Sequence, residues 1–203
     1  MIVNFGCGAN PAPDDGECIN IDGSLTVLLA RLPIPSAIFG SRAGFVRMLR
    51  STKVRYGTAR HLRLKASSLD GFYASHVLEH LPRKDCEDLL SRVLKWLKPT
   101  GVLRVVLPDL HRSAEAYVEG TMDAAQFVAA TRLARDRMTW WDAALGHSQH
   151  RWMYDAASFS KLLTDIGFRR VMECKMGESR MPEMGRLDIP SRQSESFYIE
   201  AGK

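Results

Sequence analysis

Two short apolar runs near the amino terminus constrain the fold more than any other feature. Ile2 to Phe5 ends in Gly6-Cys7-Gly8, and Ile19-Asn20-Ile21 ends in Asp22. An open α/β sheet builds its ligand crevice at the carboxyl ends of its strands. Glycines there let backbone approach a ligand closely, and an acid after the second strand can accept both hydroxyls of a ribose. The dinucleotide form of this arrangement needs a further glycine at position 11, where a pyrophosphate meets a helix amino terminus. Position 11 is Pro11. The pattern therefore speaks against a dinucleotide such as NAD and fits a nucleoside ligand without a phosphate cradle.

The rest of the chain alternates between strand and helix patterns. Asp85 to Leu97 carries Cys86, Leu89, Leu90, Val93, Leu94 and Leu97 at helical spacing, and Pro99 and Gly101 are read as its stop. Val102 to Leu107 reads as a buried strand, and Val54 to Ala59 holds the third strand. Ala156 to Ile166 reads as a helix with Asp155 as its N-cap and Gly167 just past its end. Phe168 to Cys174 and Phe197 to Ala201 are read as strands with no intervening helix. These patterns predict an α/β fold with helices on both faces of a mainly parallel sheet and an antiparallel last strand. One domain spanning 1–203 is expected, with two insertions. The first, 24–52, mixes apolar and basic residues. The second, 111–150, is read as helical from His111 to Gly146 and as a lid over the crevice.

Charge is unevenly distributed. The 203 residues carry a formal net charge of +5, yet no Asp or Glu stands between Gly23 and Leu69. Arg31, Arg42, Arg47, Arg50, Lys53, Arg55, Arg60, Arg63 and Lys65 all fall in that stretch. With Leu28, Leu29, Ile38, Phe39, Phe45, Val46, Met48 and Leu49 interspersed, the first insertion suits an anionic membrane surface or a phosphate-bearing acceptor. A flap whose apolar residues pack on the body is the other reading. No apolar stretch reaches membrane-spanning length, and the first core strand leaves no room for a signal peptide. A cytoplasmic protein, peripheral at the inner face of the membrane, is expected. Cys7, Cys18, Cys86 and Cys174 form no ligand spacing and read as reduced thiols.

Two later blocks make the pattern specific. One is Asp70 to Leu81, containing Ser75-His76-Val77-Leu78-Glu79-His80-Leu81. The other is Arg92 to Leu110, containing Arg92-Val93-Leu94-Lys95-Trp96-Leu97-Lys98-Pro99 and Val105-Val106-Leu107-Pro108-Asp109-Leu110. With His150-Arg151-Trp152-Met153-Tyr154-Asp155 and the ending Ser196 to Lys203, they cover nearly the whole chain. The chain resembles the class I S-adenosylmethionine (SAM)-dependent methyltransferases, in particular a short bacterial branch linked to cell-surface polysaccharide synthesis. The resemblance implies a Rossmann-like sheet, SAM as cofactor, and methylation of a saccharide or lipid-linked glycan precursor.

Residue by residue, the resemblance places Gly6 and Gly8 at the cofactor's methionine part, with Asn4 and Ser75 lining it and Cys7 as a small filler. Asp22 takes the ribose hydroxyls. Relatives carry an acid at the end of the third strand for the adenine amino group, and here that position is Thr58, a weaker partner. His76 lines the cofactor and orients the acceptor, or is a histidine bonded to backbone. Glu79 and His80 are expected to fix the loop and cap the next helix. Asp109 points toward the crevice and can hold an acceptor hydroxyl, with His111 beside it.

The densest polar and aromatic cluster is His147-Ser148-Gln149-His150 with Arg151, Trp152 and Tyr154. A sugar-like acceptor needs an aromatic face and a general base for its hydroxyl, and histidine suits that task near neutral pH. His147 and His150 are therefore candidate bases and Arg151, Trp152 and Tyr154 candidate acceptor contacts. Two histidines that merely fix the lid are the alternative. No metal is expected, because no carboxylate stands at ligand spacing from these histidines. Two rival functions remain. A nucleic-acid methyltransferase is encouraged by the basic stretch but lacks Pro-Pro-Tyr or Pro-Pro-Phe after the fourth strand, and lacks interleaved stacking aromatics. A module that binds SAM without turnover is compatible with Gly6, Gly8 and Asp22.

Overall fold

In the computed structural model the described residues are 1–13, 16–30, 32–33, 35–133 and 149–203. Ile2–Phe5 (β1) pairs in parallel with Cys18–Asp22 (β2), which pairs in parallel with the short Arg55–Tyr56 (β3). On its other side β1 pairs in parallel with Leu69–Ser75 (β4), and β4 with Leu97–Pro108 (β5). The chain then adds Arg169–Cys174 (β6) and Ser196–Gly202 (β7), and β7 runs antiparallel to both β5 and β6. The strand order is β3-β2-β1-β4-β5-β7-β6. The order in which strands are added therefore reverses between β1 and β4, which run parallel, and this is where an open α/β sheet forms its crevice.

Alternation along the strands sorts the side chains onto two faces. Val3, Phe5, Leu103, Val105 and Leu107 point into one core with Cys86, Leu89, Leu90 and Val93 of Arg83–Trp96 (α3). Phe159 and Leu163, from the helix Ala156–Ile166, complete that face. Ile2, Tyr73, Val102, Val106 and Tyr198 point the other way and pack on Met184, with Met176, Met181 and Leu187 around them. Each fully buried leucine or phenylalanine here contributes about 1.5–3 kcal/mol.

The helices after β2 and β5 are Leu25–Ala30 (α1), Ala43–Ser51 (α2), Leu110–Val118 (α4) and Ala124–Thr131 (α5), with a 3-10 turn at Ser36–Arg42. Ala156–Ile166 is α6 and Pro182–Gly185 is α7. Asp155 caps α6 by accepting from Ser158 N at 2.7 Å, and Gly167 ends it in the left-handed conformation, as the sequence predicts.

Three boundaries differ from expectation. The third strand is shorter than Val54 to Ala59: its pairing with β2 covers only Arg55 and Tyr56, and Gly57 N closes that ladder on Asp22 O at 3.1 Å. α3 ends at Trp96, before Pro99, because Leu97 already pairs with Leu69 and starts β5. The stretch to Gly101 is a bulge in that pairing. In the basic insertion, Val27, Ala30, Val46 and Leu49 are buried against Cys7 and Val54, whereas Leu28, Leu32 and Ile38 are exposed. Of the second insertion, α4 and α5 are helical as expected, and 134–148 lie outside the described residues.

Candidate active site

The turn after β1 is built by its glycines. Gly6 adopts φ +69° and Gly8 φ +50°, the left-handed region that other residues enter only with strain. Gly6 N donates to Ile21 O at 2.7 Å, holding the turn against β2. Over Gly8 a Cβ would meet nothing nearer than Gly6 O at 4.0 Å, so the backbone there faces open space. Beside it, Asp22 Oδ2 accepts from Gly8 N at 2.9 Å and Oδ1 from Ser24 N at 2.7 Å. Each carboxylate oxygen keeps a second acceptor position, enough for two ribose hydroxyls. An open glycine turn beside a buried, doubly anchored acid fits the nucleoside and methionine parts of SAM. Asp22→Ala is expected to weaken SAM binding by about 1–3 kcal/mol, read by calorimetry. Unchanged affinity would remove the ribose assignment.

The other expected cofactor residues surround this turn and the end of β3. Asn4 is buried and donates to Asn20 Oδ1 at 3.0 Å. Asn20 in turn bonds both backbone groups of Ala12, at 2.7 and 2.9 Å, so Asn4 braces the turn from beneath. The Cys7 thiol is pushed up to about 12, by burial first and then by Asp22, and stays neutral as a filler. Thr58 sits half-buried beyond β3 with its hydroxyl 2.9 Å from His61 Nδ1.

The loop after β4 is the most unusual part of the site. His76 takes φ +52°, a strained conformation for a non-glycine residue, held by its N–H donating to Val106 O at 2.9 Å. Its Nε2 lies 2.7 Å from Ser196 Oγ, so it has a side-chain partner and not the backbone one considered from sequence. Burial first, then Arg192 and Arg132, push its pKa down to about 3, so it is a neutral imidazole at pH 7. Arg192 reaches over from the 3-10 turn Pro190–Glu195 and donates to Ser75 Oγ at 2.8 Å and Ser75 O at 3.1 Å. Ser75 is thereby tied to the chain's carboxyl-terminal part, a link with no sequence signal.

Glu79 and His80 occupy a 3-10 turn, Leu78–His80, and do not cap α3: its N-cap is Pro82, with no side-chain cap bond. Glu79 is only 1% exposed, and neither carboxylate oxygen has a hydrogen-bond partner among the described residues. Burial pushes its pKa up to about 8, against the pull of the Arg192 and Arg132 guanidinium groups.

The acceptor-side segment is clasped between two loops. Arg151 N and Trp152 N both donate to Glu79 O, at 2.7 and 3.2 Å, and Leu110 N donates to Tyr154 O at 2.9 Å. His150 is buried, with Nδ1 3.1 Å from Met153 Sδ and Nε2 3.9 Å from Glu79 Oε1. Trp152 is 40% exposed, with the Arg83 guanidinium 5.2 Å from its ring centroid, and Arg151 is exposed. Tyr154 is a correction to the expected acceptor contacts. It is buried in the main core, edge-on to Phe159, because its strand-like pairing with Asp109 turns it inward. Asp109 caps α4, accepting from His111 N at 3.0 Å, and the His111 side chain is exposed. His147 lies outside the described residues.

The strand order, the glycine turn and the acid after β2 define the class I methyltransferase fold, and comparisons agree. A possible exported protein of Bordetella parapertussis superimposes with TM-score 0.55 at 15% identity, covering 100% of this chain and 61% of that one. The DhpI protein in complex with SAM and HEP gives 0.54 at 16% identity, covering 100% and 78%. A possible histamine N-methyltransferase of Thermotoga maritima gives 0.53 at 16%, covering 100% and 81%. The chain thus spans about three fifths of the Bordetella protein's length. No curated protein matches the sequence. The methyltransferase-domain family model matches residues 41–173, and the chain belongs to that family, with SAM as its cofactor. Among the described residues no helix is long and apolar enough to cross a membrane.

Proposed function

We propose that the chain transfers the methyl group of SAM to a hydroxyl of a saccharide or lipid-linked glycan precursor. The observation that carries the acceptor class is the exposed Trp152 with Arg83 over its ring and Arg151 next to it, tied to the loop that follows β4. The free face of the Trp152 ring suits a sugar ring and the exposed Arg151 suits the phosphates of a lipid-linked sugar, Arg83 being paired with Glu87 at 2.9 Å. SAM supplies an electrophilic methyl group on a sulfonium sulfur. The chain must align the acceptor oxygen with it, so that the new O–C bond forms as the S–C bond breaks. It must also take the hydroxyl proton, and His150 beside the Glu79 carboxyl is the base we assign, with His76 orienting the acceptor.

The basic stretch bears on the rivals. Arg50 donates to Ala30 O and Leu32 O, Arg60 pairs with Asp85, and Arg63 donates to Arg60 O and Leu62 O. Arginines so engaged serve the fold more than a phosphate backbone, which disfavours the nucleic-acid reading. The exposed Leu28, Leu32 and Ile38 favour a peripheral membrane position, where a lipid-linked acceptor resides. The test is transfer of labelled methyl from SAM into a glycolipid extract and, separately, into total RNA and DNA. Label in the glycolipid is expected. Label only in nucleic acid would overturn the reading, and SAM binding without label in any fraction would leave a binding module.

A further inference from the structure

Four polar side chains converge at the carboxyl end of β4 without bonding one another. Glu79 Oε1 stands 3.8 Å from His80 Nε2, 3.9 Å from His150 Nε2 and 3.9 Å from His76 Nδ1. These separations exceed hydrogen-bond distance. The His80 and His150 rings lie edge to face with centroids 5.0 Å apart. The ligating atoms of Glu79, His80 and His150 all fall within 4.8 Å of one another. Ligands held at about 2.0–2.1 Å around a tetrahedral ion lie about 3.4 Å apart, so small side-chain rotations would close the set.

The outer nitrogens show which atoms face inward. His80 Nδ1 is 3.3 Å from Gln149 O, and a carbonyl can only accept, so that nitrogen carries the proton. His150 Nδ1 lies 3.1 Å from the Met153 thioether, also an acceptor, so the same tautomer holds. Both Nε2 lone pairs therefore aim at a carboxylate that is 1% exposed and has no hydrogen-bond partner among the described residues. A proton or a metal cation held between these groups would relieve the contact of the lone pairs with the buried carboxyl. Imidazoles whose far N–H is fixed by an acceptor are the usual form of metal-ligating histidine.

We propose that Glu79, His80 and His150 form a divalent metal site of the zinc type, whose open coordination position takes the acceptor hydroxyl. Two imidazoles and one carboxylate suit zinc, cobalt or nickel better than magnesium, which prefers oxygen. Three protein ligands among the described residues leave a position for water or substrate, the pattern of catalytic sites and not of structural ones. His80, 23% exposed, opens the cluster to solvent on one side. A hydroxyl bound there loses its proton more readily and becomes the nucleophile for the methyl carbon. The proton passes to solvent, and His150, as a ligand, acts by holding the metal in place of taking the proton itself. This last step rests on the hydroxyl-acceptor reading given above, whereas the metal site does not.

The test uses the full chain freed of metal with a chelator and titrated with Zn2+ and Co2+. One equivalent is expected to bind, to raise the melting temperature, and with Co2+ to give visible d–d absorption. Glu79→Gln and His150→Gln should weaken binding at least ~100-fold, since even residues behind a metal ligand cost 10–100-fold when lost. Both variants should keep wild-type SAM affinity, which also reports that they are folded. Absence of stoichiometric binding by wild type, or unchanged metal affinity in both variants, overturns the site. Full methyl transfer by the metal-free protein overturns the role of the metal toward the hydroxyl. Metal bound tightly with no transfer to any glycan hydroxyl would sink the acceptor reading and leave the site standing.

Discussion

Arg104→Met is expected to cost about 3–5 kcal/mol of folding stability, the effect of removing one partner from a buried ion pair. Arg104 is completely buried on the β5 face opposite α3. It donates through Nε to Asp188 Oδ1 at 3.1 Å, through Nη2 to Asp188 Oδ2 at 2.5 Å, and through Nη1 to Glu200 Oε1 at 3.0 Å. Two carbonyls, Glu178 O at 2.8 Å and Lys175 O at 3.0 Å, accept from the same fork. Burial works against its charge, but the bonds from Asp188 and the surrounding anions outweigh it and raise its pKa further. Methionine would fill the volume and take from two carboxylates with side chains 1% exposed their shared cation, leaving Glu200 only Arg180 at 3.3 Å. Urea denaturation should register the loss. Arg104→Lys should recover only part of it, because an ammonium cannot reproduce the planar fork. A loss under about 1 kcal/mol in Arg104→Met would show that the cluster is wetter than its burial indicates.

Gly6→Ala and Gly8→Ala are expected to fail differently. A Cβ on Gly6 would stand 2.4 Å from Val77 Cγ2 and 2.7 Å from Val77 Cβ. Val77 is a branched side chain at the loop after β4, with little room to swing. Adding the left-handed strain to this overpacking gives a loss of about 2–5 kcal/mol, and the His76 to His80 loop would shift with it. A Cβ on Gly8 clashes with nothing, so that variant should melt within about 1 kcal/mol of wild type after its smaller strain. Its methyl would instead project into the crevice, and SAM affinity should fall. Thermal melts paired with calorimetry separate the two. Equal losses of stability, or wild-type SAM affinity in Gly8→Ala, would mean that the crevice does not open over this turn.

Much of the site's cofactor half is local and could be read directly. Gly6 and Gly8 matter because of their own backbone angles, and Asp22 bonds Gly8 through a turn that the two apolar runs delimit. The caps of α6 are likewise contained within a few residues, from Asp155 to Ser158 and at Gly167. Tyr154 illustrates the opposite case. It stands in a polar, aromatic run whose composition points to a ligand, yet its bridge to Asp109 rotates it into the core. Arg104 was hidden in an apolar strand pattern, Val102 to Leu107, that a lone arginine scarcely disturbs. Its partners arrive from Asp188 and Glu200, which no spacing connects to it.

The same division explains the cluster of Glu79, His80 and His150. Sequence spacing placed no carboxylate near His150, and the expectation of no metal followed from that alone. The loop after β4 and the segment before α6 meet across the fold, where Arg151 N and Trp152 N donate to Glu79 O and His80 Nδ1 faces Gln149 O. By itself the sequence determined the alternation of strands and helices, the glycine turn, the acid after β2 and the helix ends, because each depends on backbone preferences of neighbouring residues. Only the tertiary structure decided which way Tyr154 faces, what neutralises Arg104, and that Glu79, His80 and His150 share one buried point. Such convergence depends on the packing of segments distant in the chain, and a side chain's polarity alone carries no record of the partner that packing will bring.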